Sequence, residues 1–108
     1  MSEPVPFGPV TYDENGALCL SGTPLAPLAA QFGSPLYVYS CAHISSQIQR
    51  LRSAFSKLNP LICYAVKANM NTHVIRHVAS HGVGADVVSA GELRRALASG
   101  VAAEKIVF

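Results

Sequence analysis

From Pro60 onward the chain alternates short apolar runs with amphipathic stretches, and few architectures accept that order. The runs open at Leu61, Gly84 and Lys105. Residues 61–66 are bounded by Pro60 before and by Asn69 to Asn71 after, as a buried strand would be. Val74, Ile75, Val78 and Ala79 then return at helical spacing behind Asn71 or Thr72 as a cap, and His81-Gly82 ends that stretch. Residues 84–88 form the next run. Ser89 and Glu92 stand three residues apart ahead of Leu93, Ala96 and Leu97, the pattern of a capping box. Gly100 supplies the left-handed residue that closes a helix. The spacing therefore predicts strand, helix, strand, helix, strand. Parallel strands need a crossover and the helices provide it, so the class is α/β with a parallel sheet. Doubly wound sheets and eight-stranded barrels both begin this way. A barrel needs about 250 residues, so this chain supplies at most about three of its eight strands.

The first third reads differently. Residues 1–35 are rich in Pro, Gly and small apolar residues, with no helical period before Pro24. Tyr12-Asp13-Glu14-Asn15-Gly16 predicts a turn, since Asn-Gly accommodates positive φ. Residues 25–32 predict a short helix closed by Gly33. Leu36-Tyr37-Val38-Tyr39 is aromatic and β-branched and predicts a strand. Ile44, Ile48, Leu51, Phe55 and Leu58 then recur at steps of four and three. They predict one apolar helix stripe, with Ser40 as N-cap and Asn59-Pro60 as the stop.

Composition narrows the function classes. Half of the residues are hydrophobic and 13% are charged, which fits a buried-core segment and not a disordered tail. The formal charge is +2, with no Lys/Arg run. That argues against a nucleic-acid footprint and against a polybasic membrane patch. No stretch approaches the roughly 18 apolar residues of a membrane span. Residues 1–4 lack the basic start of a signal peptide, so a cytoplasmic location is expected. Cys19, Cys41 and Cys63 are odd in number and show no C-x-x-C, which predicts free thiols. The chain stops at Lys105-Ile106-Val107-Phe108, a strand with nothing after it, and is expected to be a fragment of a longer protein.

Two polar residues interrupt the apolar frame where chemistry can start. Side chains alternate along a strand, so Leu61, Cys63, Ala65 and Lys67 are predicted to share one face. Ile62, Tyr64 and Val66 share the other and pack on helices. Lys67 then falls at the C-terminal strand edge, where ligands bind in both architectures. An activated amine there can form a Schiff base, and Ala65 leaves room for a flat ring. A lysine at a strand end also often meets only solvent, and periodicity alone does not choose. Asp86 lies inside Gly84-Ala85-Asp86-Val87-Val88, where a carboxylate is costly to bury unless paired. On a neighbouring strand it comes near the Lys67 amine and stabilises its positive charge. Otherwise it accepts N–H bonds from the next helix. His73, His77 and His81 are spaced four apart, but no Glu or Cys falls at a zinc-motif offset. They read as a solvated helix face, and no metal site is assigned. Gly82-Val83-Gly84 precedes a strand, whereas a phosphate loop must open a helix.

Together, Tyr64-Ala65-Val66-Lys67-Ala68-Asn69 and Gly84-Ala85-Asp86-Val87-Val88-Ser89-Ala90-Gly91-Glu92-Leu93 resemble the fold-type III pyridoxal-phosphate-dependent decarboxylases. The lead-in Gly33-Ser34-Pro35-Leu36-Tyr37-Val38-Tyr39 and the closing Lys105-Ile106-Val107-Phe108 match as well, so the resemblance spans roughly residues 20–108. Met70-Asn71-Thr72-His73 departs from the Tyr-Gly-His-Gly type of stretch in alanine racemases. Ala68 stands where eukaryotic-type ornithine decarboxylases have Cys. The 85–93 form is similar to the meso-diaminopimelate decarboxylase branch.

The resemblance implies a (β/α)8 barrel of the alanine racemase-like type. Its first strand would end in Lys67 as the Schiff-base lysine for pyridoxal 5'-phosphate, with Ala65 and Asp86 beside the cofactor. Residues 1–40 would contribute to a β-domain, and residues 41–108 would begin the barrel, cut at Phe108. The implied activity is decarboxylation of meso-2,6-diaminopimelate to L-lysine and carbon dioxide, by a homodimer when full length. The phosphate site, the ring-stacking His, the carboxylate facing the pyridine nitrogen and the catalytic Cys and Tyr are expected beyond Phe108. This segment alone is therefore expected to be inactive. The alternatives are a related basic amino-acid or carboxy-polyamine decarboxylase, or a non-catalytic truncated module.

Overall fold

A computed structural model describes residues 8–108, and in it Asp13 builds the turn foreseen at residues 12–16. Its Oδ1 accepts the N–H groups of Asn15 and Ala17 at 2.9 and 2.8 Å, and Gly16 takes φ 77°. The turn folds β1 (Val10–Tyr12) antiparallel onto β2 (Leu18–Leu20), with Val10 opposite Leu20. A third antiparallel strand, β3 (Thr23–Pro24), completes this small sheet. The expected helix follows as α1 (Leu25–Phe32), and the Gly33 N–H donates to the Ala29 carbonyl at 2.8 Å. The reading of residues 1–4 lies outside the described residues.

Residues 36–39 correct the sequence reading. They are not a strand: no ladder partner is present among the described residues. Their composition suits a pleated, half-buried surface, but a strand exists only where another pairs with it. Tyr37 is 88% exposed.

The chain divides into two compact units, the second running from Ile44 to Phe108. Helix α2 (Cys41–Ala54) opens as foreseen, with Ser40 Oγ accepting the His43 N–H at 3.0 Å. It stops earlier than its stripe predicts. Ile44 and Ile48 pack into the core, whereas Leu51, Phe55 and Leu58 stay exposed. A turn through residues 55–58 takes over, and Asn59 adopts φ 45°.

The parallel sheet is present as predicted. β4 (Cys63–Ala65), β5 (Gly84–Asp86) and β6 (Ile106–Val107) lie in that order, all parallel. Helices α3 (Thr72–Ser80) and α4 (Ala90–Ala98) are the crossovers. Asn71 caps α3, its Oδ1 accepting the His73 N–H at 2.9 Å. Ser89 caps α4 by accepting the Glu92 N–H at 3.1 Å. The Glu92 carboxylate reaches one residue beyond the standard box and accepts the Val88 N–H at 2.6 Å. Arg52 and Lys105 donate to the carbonyls of His81 and Gly82, satisfying acceptors at the C-terminal end of α3.

The core lies on the helix side of this sheet. Val66, Ile75, Ala85, Val87, Ala96 and Val101 form one buried cluster; Ile48, Val78 and Val83 form a second. Tyr64 packs against both. Burying Ile75 to 1% exposure contributes about 2–3 kcal/mol. Leu93 and Leu97 on α4 are 37% and 45% exposed. Small Ala96 makes the helix's contact with the sheet. The opposite face carries Cys63, Ala65, Gly84, Asp86 and Val107, by register and alternation. No buried cluster forms there among the described residues.

Candidate active site

The strand that carries the Lys67 motif ends sooner than alternation requires. β4 stops at Ala65, and Val66–Ala68 form a single 3-10 turn. In this turn the Val66 side chain is fully buried in the core while Lys67 and Ala68 stay exposed. Lys67 therefore stands at the C-terminal end of the parallel sheet, as expected. Its direction is set by the turn and not by the strand pleat.

Asp86 is the last residue of β5 and lies in register with Ala65, so the two strands are neighbours. Its carboxylate is half-buried. Among the described residues no ion pair within 4.0 Å joins Asp86 to Lys67. The charge of Asp86 is nonetheless felt on that face. Burial first, and then the Asp86 carboxylate, push the Cys63 thiol above its ordinary range. A raised thiol holds less thiolate at any given pH, and only thiolate reacts with alkylating agents. Cys63 is expected to alkylate far more slowly at pH 8 than the exposed Cys41. Asp86→Asn removes one of the two raising causes, so it should speed labelling of Cys63 and leave Cys41 unchanged. Peptide-resolved mass spectrometry reads both sites; equal labelling of Cys63 in the two proteins would contradict the placement of Asp86.

Ala65, opposite Asp86 and two residues before Lys67, presents only a methyl group. Cys63 and Gly84 line the same face further down the strands. The site thus offers one primary amine, one carboxylate and a small neutral floor at a single sheet edge.

Three arrangements had no clear signal in the sequence. The Tyr64 hydroxyl donates to the Asn69 carbonyl at 2.9 Å, spanning the Lys67 turn. Arg95 Nη1 donates to the Met70 carbonyl at 3.1 Å. The third corrects the reading of the histidines. His77 and His81 are not on a solvated face: both Nε2 atoms lie 2.8 Å from Ser45 Oγ on α2, and the rings meet edge-on at 5.1 Å. The Ser45 hydroxyl, with one proton and two lone pairs, can serve both rings at once. Only His73 of the three is exposed. The four-residue spacing was visible; their partner, more than thirty residues away in sequence, was not.

Comparison with known proteins gives a consistent result. Residues 41–108 match the family described as pyridoxal-dependent decarboxylase, pyridoxal binding domain. The chain is 52% identical over 85 residues to diaminopimelate decarboxylase of Neisseria meningitidis serogroup B, covering 79% of this chain and 20% of that protein. It is 43% identical over 102 residues to diaminopimelate decarboxylase of Aquifex aeolicus, covering 94% of this chain and 24% of that one. Among solved structures, diaminopimelate decarboxylase from M. jannaschii in co-complex with L-lysine superposes with a TM-score of 0.85 at 39% identity, over 92% of this chain and 24% of the other. The chain spans about a fifth to a quarter of the length of these relatives.

Proposed function

The chain belongs to the pyridoxal-dependent decarboxylases, and from that premise we propose that it forms the lysine-bearing front part of a meso-diaminopimelate decarboxylase, a carboxy-lyase yielding L-lysine and carbon dioxide. The observation that carries the reading is Lys67 on a turn at the C-terminal end of the parallel sheet, beside the Ala65–Asp86 register pair. Identities of 43–52% to proteins named for that activity support the choice of substrate.

In this reading Lys67 Nζ is the amine that anchors pyridoxal phosphate. When bound, the cofactor supplies an electron sink for the pair left behind as carbon dioxide departs. When its amine is free, Lys67 would hold a proton at Nζ. Asp86 sets a negative charge at that sheet edge and stabilises a cationic nitrogen there. Ala65 keeps the floor flat. Residues 1–40 belong to a β-domain and residues 41–108 open the barrel. The complete enzyme is a cytoplasmic homodimer acting on a small amino acid, with no nucleic-acid or membrane partner. Among the described residues, no helix is long and apolar enough to cross a membrane.

Carbon dioxide release from a panel of amino acids tests the substrate. In a polypeptide of the relatives' length that carries this segment, meso-diaminopimelate should be turned over at least ten-fold faster than ornithine, lysine or a carboxy-polyamine. Preference for one of the others would assign the chain to a different branch of the family.

A further inference from the structure

We propose that Tyr64 is a positioning residue for Lys67, its hydroxyl acting as a strap that fixes the turn from which the amine projects. The inference rests on the reading of Lys67 as the cofactor amine.

The turn is poorly held by its own bonds. It is a single 3-10 turn of three residues, Val66–Ala68, with no side-chain cap, and such turns have weak internal hydrogen-bond geometry. Lys67 and Ala68 are exposed, so packing holds only the Val66 side. Beyond Ala68 the backbone turns extended at Asn69. The far end would swing if nothing tied it down. Tyr64 ties it: its hydroxyl reaches from the strand across the whole turn to the Asn69 carbonyl at 2.9 Å. The ring behind that hydroxyl packs against both core clusters. The anchor is therefore a rigid aromatic body and not a flexible arm.

The bonds continue outward. Asn69 Oδ1 accepts the Asn71 N–H at 2.9 Å, and Asn71 in turn caps α3. Arg95, on α4, holds the Met70 carbonyl at 3.1 Å. Strand, turn and both helices are thus linked through residues 64–71. A lysine side chain is long and its torsions are soft, so its nitrogen is placed only as well as its Cα is. Fixing the turn limits the volume that Nζ searches and favours capture of a carbonyl at one point.

The test uses a full-length enzyme carrying this segment, stripped of cofactor and titrated with pyridoxal 5'-phosphate. The visible band of lysine-bound cofactor gives affinity and capture rate, and borohydride trapping with peptide mass identifies the lysine. Tyr64→Phe keeps the ring and removes the strap. It should weaken apparent cofactor affinity about 3- to 10-fold and slow capture, as expected for one lost hydrogen bond. Ile75→Val trims the same core without touching the turn, and should leave affinity and rate unchanged at a comparable melting temperature. Arg95→Gln, at an exposed position, should shift affinity in the same direction by a smaller factor.

Wild-type affinity and rate in Tyr64→Phe overturn the strap, and so does an equal loss in Ile75→Val. If Tyr64→Phe does not fold, Arg95→Gln decides, and an unchanged affinity there overturns the proposal. Lys67→Ala separates the two readings. Loss of the trapped adduct in Lys67→Ala with normal capture in Tyr64→Phe sinks the strap alone. Retention of the adduct in Lys67→Ala sinks the lysine assignment and the strap with it.

Discussion

Replacing Lys67 by alanine is expected to abolish the visible band of lysine-bound cofactor and all borohydride trapping on this segment, and to lower turnover by on the order of a thousand-fold or more. The expectation follows from where the three lysines lie. Lys57 follows α2, in the turn before β4. Lys105 precedes β6, at the opposite end of the parallel strands, and its amine donates to the Gly82 carbonyl. Only Lys67, among the described residues, stands where the strands end and ligands of α/β folds bind. Lys67→Arg should fail equally, because a guanidinium keeps the charge but does not form the imine. A trapped adduct on any other lysine of the segment would overturn the assignment.

The second large effect is structural. Gly84→Ala should cost about 3 kcal/mol or prevent folding. Gly84 is buried at the start of β5, opposite Cys63. A Cβ there would overlap the Lys105 carbonyl oxygen and come within 3.0 Å of Cys63 Sγ. The thiol could rotate away. The carbonyl is backbone, and moving it pulls β6 from β5. Gly91→Ala is the control. A Cβ at that position, in the first turn of α4, meets nothing nearer than Ser89 Oγ at 3.8 Å. It should be neutral or stabilise by about 0.5–1 kcal/mol, because alanine restricts the unfolded chain and favours helix. Thermal and denaturant melts of the two variants read this directly; a Gly84→Ala protein that melts with the wild type would refute the close strand approach.

Much of the second unit was legible because local signals agreed with one another. Asn71, Ser89 and Gly100 each sit where a cap or a closing residue was predicted. The β-α-β-α-β order then leaves parallel pairing as the natural solution. Two of the misreadings share one physical origin: a residue's side was inferred from a period that the structure does not sustain. The α2 stripe breaks after Ile48: Leu51 is exposed although it lies inside the helix, and the helix ends at Ala54, before Phe55 and Leu58. Strand alternation stops short of Lys67 because β4 ends at Ala65 and the chain enters a 3-10 turn. Residues 36–39 have strand composition but no partner among the described residues, and pairing is not a local property.

The candidate site divides along the same line. The identity of the amine, the carboxylate and the small floor residue is written in Lys67, Asp86 and Ala65, and the family motifs around them name the chemistry. Their order in sequence also fixes that they fall at one sheet edge, since parallel strands joined by helices place every strand's C-terminus on the same side. Tertiary structure decided the rest. It set the Ala65–Asp86 register, let the Asp86 charge reach Cys63, and drew Ser45 between His77 and His81. It also laid the Tyr64 hydroxyl across the turn that bears Lys67. Hydrogen bonds and charge interactions act over a few ångströms in space and are indifferent to separation along the chain, so only the folded arrangement determines which side chains meet.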